Sequence, residues 1–302
     1  MARRTAVGRS LPLLIASVRP EQWTKNLLLF AGLMFGGRLL DSSAVWLAIE
    51  AFAVFCALSS AVYLYNDVSD READRNHPLK RTRPVASGKL PVRTAAIAAA
   101  VLGAAGLGFA IRLGPVFGGL AAAYLVLLLL YSAALKHIVI IDVLTIAAGF
   151  VLRAAAGAVA VNVPIGPWLP SCTTLLALFL VLSKRRHELL LLGEGATGHR
   201  PILQEYSPYL LDQMIAVVTA STVIAYSIFA TSTETAERLG TGRLGATIPF
   251  VLYGIFRYLY LVHQKRGGGS PTTMLMTDGP LLTCVALWAV VAGLCLYSPL
   301  GH

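Results

Sequence analysis

The residues with the clearest chemical potential are Asn66, Asp67, Asp70 and Asp74, in the stretch YNDVSDREADRNHPLKRTRPVASGKLP, residues 65–91. The three carboxylates recur at intervals of three and four. If the apolar helix before them continues, their oxygens share one face. An all-oxygen set of this kind suits a hard divalent cation such as Mg2+, which usually keeps substrate phosphates as further ligands. His77, Lys80, Arg81, Arg83 and Lys89 follow at once, side chains that seek phosphate oxygens. Tyr65 opens the stretch and joins the candidate substrate contacts. A phosphorylated substrate bridged to the chain by a metal ion satisfies both halves. The competing reading is a solvated cytoplasmic loop, basic for topological reasons alone. It accounts for the lysines and arginines, but not for three aspartates at helical spacing.

Three further groups of residues bear on the same chemistry. RPEQWTKN, residues 19–26, offers Lys25 as a phosphate ligand and Asn26 as a hydrogen-bond partner, with interfacial anchoring by Trp23 and Lys25 as the alternative. Residues 131–158 carry Tyr131 and, at a helix boundary, Lys136 and His137. Asp142 and Arg153 lie within the apolar run that follows, where ionised groups are costly and mark partners or a polar cavity. They are eleven residues apart, about three turns, so they share a face without pairing directly. SKRRHELL, residues 183–190, adds Lys184, Arg185, Arg186 and His187 beside Glu188. This group reads as a phosphate clamp or as anchoring by snorkelling cations. Glu188 either serves the metal or holds an arginine in place. Tyr206, Arg257, Tyr258 and Asp278 are weaker candidates.

These residues need elements to hold them, and composition names the class. The chain has 302 residues, of which 56% are hydrophobic and 13% charged, with a mean hydropathy of +0.70. Soluble domains carry about 25% charged residues. An all-α membrane protein forming one transmembrane domain, 1–302, is expected. About nine spans of ~20 residues fall near 20–40, 45–66, 93–112, 115–135, 139–161, 168–191, 209–231, 246–264 and 279–298. No cleavable leader is evident, so the first span is expected to remain as an anchor. The loops holding Arg71 to Arg93, Lys136 and Lys184 to Arg200 are basic, as are Arg3, Arg4, Arg9, Lys265 and Arg266. The alternate loops hold only Arg38, Arg112, Arg238 and Arg243. This places the N-terminus and every candidate group on the cytoplasmic face of the cell membrane. The loops VNVPIGP and STETAERLGTGR on the other face read as plain connectors. The charge of +10 suits anionic lipids and phosphorylated substrates rather than nucleic acid. Cys56, Cys172, Cys284 and Cys295 lie in apolar runs and indicate neither disulfides nor zinc. Small residues such as GAAGLG, 103–108, permit helix contacts within one chain or between copies in a homo-oligomer. Polar groups crowded at one side favour an enzyme over a transporter, which needs a polar path across the bilayer.

NDVSDREADRNH resembles the first Asp-rich motif, NDxxDxxxD, of the UbiA superfamily of intramembrane prenyltransferases. The likeness extends to the span count, the loop positions and Tyr131-Ser132 with Lys136. It implies a UbiA-type bundle with Mg2+ held on a substrate diphosphate by Asn66, Asp67, Asp70 and Asp74. Superfamily members carry a second Asp-rich motif at the inner end of the sixth span, where this chain has KRRHE. RPEQWTKN, LKHIVIIDV, GFVLRAAAG and SKRRHE are similar to the branch that transfers 5-phosphoribose from phosphoribosyl diphosphate to decaprenyl phosphate for cell-wall arabinan precursors. That resemblance implies catalytic roles for Asp67, Asp70 and Asp142. It also implies substrate contacts from Lys25, Tyr65, Asn66, His77, Lys80, Arg81, Arg83, Tyr131, Lys136, Arg153, Lys184, Arg185, Arg186 and Glu188. A conventional prenyltransferase acting on an aromatic or lipid acceptor is the alternative, with a non-catalytic lipid transporter as one of another class.

Overall fold

The computed structural model describes residues 11–76, 80–192, 201–265 and 267–297. Among them every regular element is helical. The α-helices are α1 Phe30–Phe35, α2 Ser42–Ser69, α3 Arg71–Asn76, α4 Val92–Leu113, α5 Pro115–Ala133, α6 Ile141–Ala160, α7 Trp168–Leu192, α8 Pro208–Thr231, α9 Thr233–Leu239, α10 Ile248–Gln264, α11 Pro271–Thr277 and α12 Gly279–Tyr297. Among the described residues, seven segments are long and apolar enough to cross a membrane: α2, α4, α5, α6, α8, Arg243–Gln264 and α12. Large apolar side chains face outward along them, including Ile97, Val101 and Phe109 on α4 and Leu287, Val290 and Leu294 on α12. In water such faces would be a liability; against lipid tails they cost nothing. The chain is an integral membrane protein.

Helices also occupy the other two places where spans are expected, but with different character. The first is a 3-10 helix, Pro20–Leu29, running into the short α1. At about 2 Å per residue in the first part and about 1.5 Å in the second, the pair reaches roughly 29 Å, close to the thickness of a hydrocarbon core. The second, α7, is 25 residues long and ends in the charged run around Arg185.

Packing explains the first segment. A side chain on Gly157 of α6 would meet the Leu29 carbonyl oxygen at 2.0 Å, and one on Gly32 would meet the Ala158 backbone at 2.5 Å. The two backbones therefore touch, as small residues allow in membranes. Around this contact Leu29, Phe55, Leu58, Phe117, Tyr124 and Ala156 form one buried cluster from the first segment, α2, α5 and α6. Phe179, Leu182, Leu211, Ile215 and Tyr258 form another from α7, α8 and α10.

Helix α2 starts cleanly because Asp41 accepts from the Ser43 and Ala44 amides, which satisfies two of its orphan donors. It runs past the expected end at residue 66, to Ser69. At Asp70 the helix breaks, and α3 begins at once, with the Asp74 amide donating to the Asp70 carbonyl at 2.8 Å. At the opposite end of the bundle the two loops expected to be plain connectors are organised. STETAERL forms α9, capped by Ser232, and Arg238 donates to the Pro164 carbonyl in the other loop.

The contact at Gly157 yields a stability prediction. Gly157→Ala should destabilise by about 1–3 kcal/mol through overpacking. Gly108→Ala in α4, with open space around it, should stabilise by about 1 kcal/mol. Thermal unfolding in detergent reads both.

Candidate functional site

Four helix ends and the loop after α3 meet at one end of the bundle. The junction of α2 and α3 supplies the acidic group. Asp67 is buried, 2% exposed. It accepts from Arg19, at the break before the 3-10 helix, and from Arg83 at 3.4 Å. Asp74, also buried, accepts from the same Arg83 nitrogen at 2.6 Å and lies 3.9 Å from Lys80. Asp70 turns the other way, to the Lys136 ammonium at 2.9 Å. The Asn66 carboxamide oxygen accepts from the Ser132 hydroxyl. Asp67 and Asp74 thus share a face while Asp70 does not, and each of the three is matched to a cation. Among the described residues no three His, Cys, Asp or Glu side chains converge on one point. Tyr65 and Arg81 are exposed; His77 lies outside the described residues, as do Arg3, Arg4, Arg9, Arg200 and Arg266.

The basic run on α7 diverges. Arg185 is buried, with Nε on Asp142 at 3.0 Å, one terminal nitrogen on Glu188 at 2.7 Å and the other on Tyr131 at 3.3 Å. Lys184 lies 3.7 Å from the other Glu188 oxygen. Arg186 points to α8, where it pairs with Asp212 at 2.5 Å; the His263 ring contacts the same carboxylate oxygen at 3.3 Å. Successive residues on a helix face different ways: Lys184 and Arg185 share Glu188, while Arg186 turns to Asp212.

Asp142 is fully buried. One oxygen takes Arg185 and the other takes the Tyr206 hydroxyl at 2.7 Å. Burial, and next the bond to Asp142, push the Tyr206 phenol up to about 12, so it keeps its proton and donates. Both Asp142 oxygens are thus paired within the bundle. Arg185 likewise has all three nitrogens engaged by the chain itself. Of the two readings of Glu188, the geometry shows the one in which it holds an arginine.

Arg153 is also buried. It donates to Asn26 at 2.8 Å, to the Gly149 carbonyl at 3.1 Å and to Tyr124 at 2.6 Å, and the Tyr124 ring lies 4.7 Å from its guanidinium carbon. Its partners are neutral and belong to the packed interior, so it ties the first segment to α5 and α6. Lys25 is the contrasting case. Its ammonium has no hydrogen-bond or ion-pair partner among the described residues. Lys184, Arg153 and Arg19 surround it against the lone carboxylate of Glu21. An ammonium among cations is a place for an anion. Of the weaker candidates, Arg257 pairs with Asp278 at 2.8 Å, which holds that carboxyl below the usual range. Tyr258 is buried in the core.

Sequence reasoning missed Arg19 and Ser132 as site residues. Arg19 adopts a left-handed backbone, φ 54°, immediately before Pro20, and that break was the available signal. Ser132 stands in the sequence reading only beside Tyr131 in the resemblance, with no role of its own.

Aspartates laced with arginines thus stand at one end of a helical membrane bundle, beside a lysine that has no ion-pair partner among the described residues. Residues 26–188 match the UbiA prenyltransferase family, and the chain belongs to it. It is 33% identical over 285 residues to a decaprenyl-phosphate phosphoribosyltransferase of Mycobacterium tuberculosis, covering 92% of each chain. It is 31% identical over 289 residues to the protein of that name in Corynebacterium glutamicum, covering 94% of this chain and 86% of the relative. In fold it is similar to a UbiA homolog from Archaeoglobus fulgidus bound to GPP and Mg2+. That likeness has a TM-score of 0.69 at 18% identity and covers 94% of this chain and 99% of the other.

The Arg185 network yields a second prediction. Arg185→Met should cost about 3–5 kcal/mol, because Asp142 is left as an uncompensated buried charge. The exposed Arg81→Met should stay within about 0.5 kcal/mol. Thermal unfolding distinguishes them.

Proposed function

We propose that this chain transfers the 5-phosphoribosyl group of phosphoribosyl diphosphate to decaprenyl phosphate or a similar polyprenyl phosphate, releasing diphosphate. The observation that carries the reading is the asymmetry of the site. One side, at α2 and α3, carries three aspartates, each set against a basic side chain. The other, where α7 ends beside Lys25, is cationic in place of a second acidic motif. A substrate with two separate phosphate groups matches that asymmetry better than an isoprenyl diphosphate does, and the names of the relatives point the same way.

The donors at the acidic side fit Mg2+ in kind. They are all oxygens: Asp67 and Asp74 are drawn together on one guanidinium, while Asp70 faces Lys136 and Asn66 faces Ser132. Mg2+, when bound, neutralises charge on the departing diphosphate. Lys136, Lys80 and Arg83 take further diphosphate oxygens. Lys25 and Lys184 take the second anion, since Arg185 and Arg186 are committed to carboxylates. The lipid phosphate is already an anion, so it attacks C1 without a general base. Its oxygen bonds to C1 as the bond from C1 to the diphosphate oxygen breaks, with inversion. Positive charge developing on the ribose is stabilised by preorganised electrostatics. The reading includes nine spans, an N-terminus and site on the cytoplasmic side of the cell membrane, and product destined for cell-wall arabinan.

The test is purified protein with Mg2+, labelled phosphoribosyl diphosphate and decaprenyl phosphate. A phosphoribosylated lipid is expected. Prenylation of an aromatic acid from an isoprenyl diphosphate, without that lipid, would overturn the reading. Asp67→Asn and Asp70→Asn should each lower turnover by more than about a hundredfold with the fold retained. Lys25→Met should raise KM by about tenfold through the lost phosphate contact.

A further inference from the structure

Helix α6 is entered through a strained turn. Ile140 has φ 69° and ψ −44°, and the Ile141 amide donates across it to the Val139 carbonyl at 2.8 Å. This is a γ-turn of the rare positive-φ kind, at a β-branched residue that avoids that conformation. Such a turn persists only where its surroundings hold it. What holds this one is Tyr206, from the segment before α8. Its buried hydroxyl accepts from the Ile140 amide at 2.8 Å and donates to Asp142 at 2.7 Å, on either side of the turn. Asp142 is fixed in turn by Arg185.

The residues leading into the turn carry the site. Lys136 lies in the 3-10 helix Leu135–His137, four residues before Ile140. The Ile138 amide bonds back to Leu135, and the Asp142 amide back to Ile138. Hydrogen-bonded backbone thus runs without a gap from Lys136 to the turn, and the Lys136 ammonium reaches Asp70 at 2.9 Å.

We propose that Tyr206 is a positioning residue. Its hydroxyl clamps the γ-turn at Ile140, and through that turn it sets Lys136 against Asp70 and against the substrate's phosphate. The last part rests on the functional reading above. Tyr206 itself touches neither Asp70 nor Lys136.

The experiment uses the full chain in bilayer nanodiscs. Tyr206→Phe keeps the ring and removes the hydroxyl, which leaves the Ile140 amide and one Asp142 oxygen unpartnered. The KM for phosphoribosyl diphosphate is expected to rise about tenfold with kcat within about twofold, since a ligand-binding group is misplaced. Backbone hydrogen exchange should quicken across residues 135–141. Ile140→Gly, which makes positive φ free of strain, should restore both in the Tyr206→Phe background, a rescue that loss of packing would not permit. In a Lys136→Ala background Tyr206→Phe should add nothing to KM. A lower unfolding temperature with unchanged KM would overturn the proposal. So would a failure of Ile140→Gly to rescue, or full additivity with Lys136→Ala. A wild-type protein inactive toward phosphoribosyl diphosphate, with exchange quickened by Tyr206→Phe and reversed by Ile140→Gly, would sink the substrate assignment but uphold the clamp.

Discussion

A carboxylate at the margin of a bilayer cannot stay charged without a partner, and that constraint orders the site end of this protein. Asp67 is almost inaccessible, yet it sits on the last turns of a membrane helix. It is tolerable there because Arg19 and Arg83 reach it from separate parts of the chain. Those contacts fix where the first segment meets α2 and how the loop after α3 folds back. The 3-10 conformation from Pro20, the Gly157 contact and the fold of residues 80–91 serve one arrangement: a charged group kept dry and matched.

The same constraint divides the cations of α7. Side chains one residue apart on a helix point about 100° from each other, so a run such as Lys184, Arg185 and Arg186 is three separate groups. Arg185 turns inward and is absorbed by Asp142, Glu188 and Tyr131. Arg186 turns toward α8 and Asp212. Lys184 faces Lys25 and contributes to a local surplus of positive charge. Buried pairs of the first kind contribute little net stability when compared with apolar packing, but removing one partner is costly. They hold geometry, which is what the neighbouring substrate-facing groups require.

Much of this was legible in the sequence. The spacing of Asp67, Asp70 and Asp74 reports their common location because helical periodicity is local information. The apolar runs report the seven spanning helices of the described residues for the same reason. The separation of Asp142 from Arg153 excluded a direct pair, and the structure gives each its own partners. The partner identities were not legible. Arg19 with Asp67, Ser132 with Asn66 and Tyr206 with Asp142 join residues 48 to 66 positions apart. Only the packing of helices brings them together. The divergence of the α7 cations could have been read from helix geometry, since adjacent residues cannot converge on one phosphate. The structure of α9 was masked by the polar composition of a short capped helix, which resembles that of a loop.

At the end of the bundle remote from the aspartates, three of the cross-braces share a chemical form. Arg38 donates to the Val161 carbonyl, Arg238 to the Pro164 carbonyl, and the Tyr297 hydroxyl to the Met34 carbonyl. The acceptor in each case is main chain, which every amino acid supplies. Drift at positions 34, 161 and 164 therefore leaves the acceptors in place as long as the backbone path is kept, while the donor positions 38, 238 and 297 admit few replacements. Selection on that face acts on one member of each couple alone, whereas an Asp–Arg couple ties the fate of both.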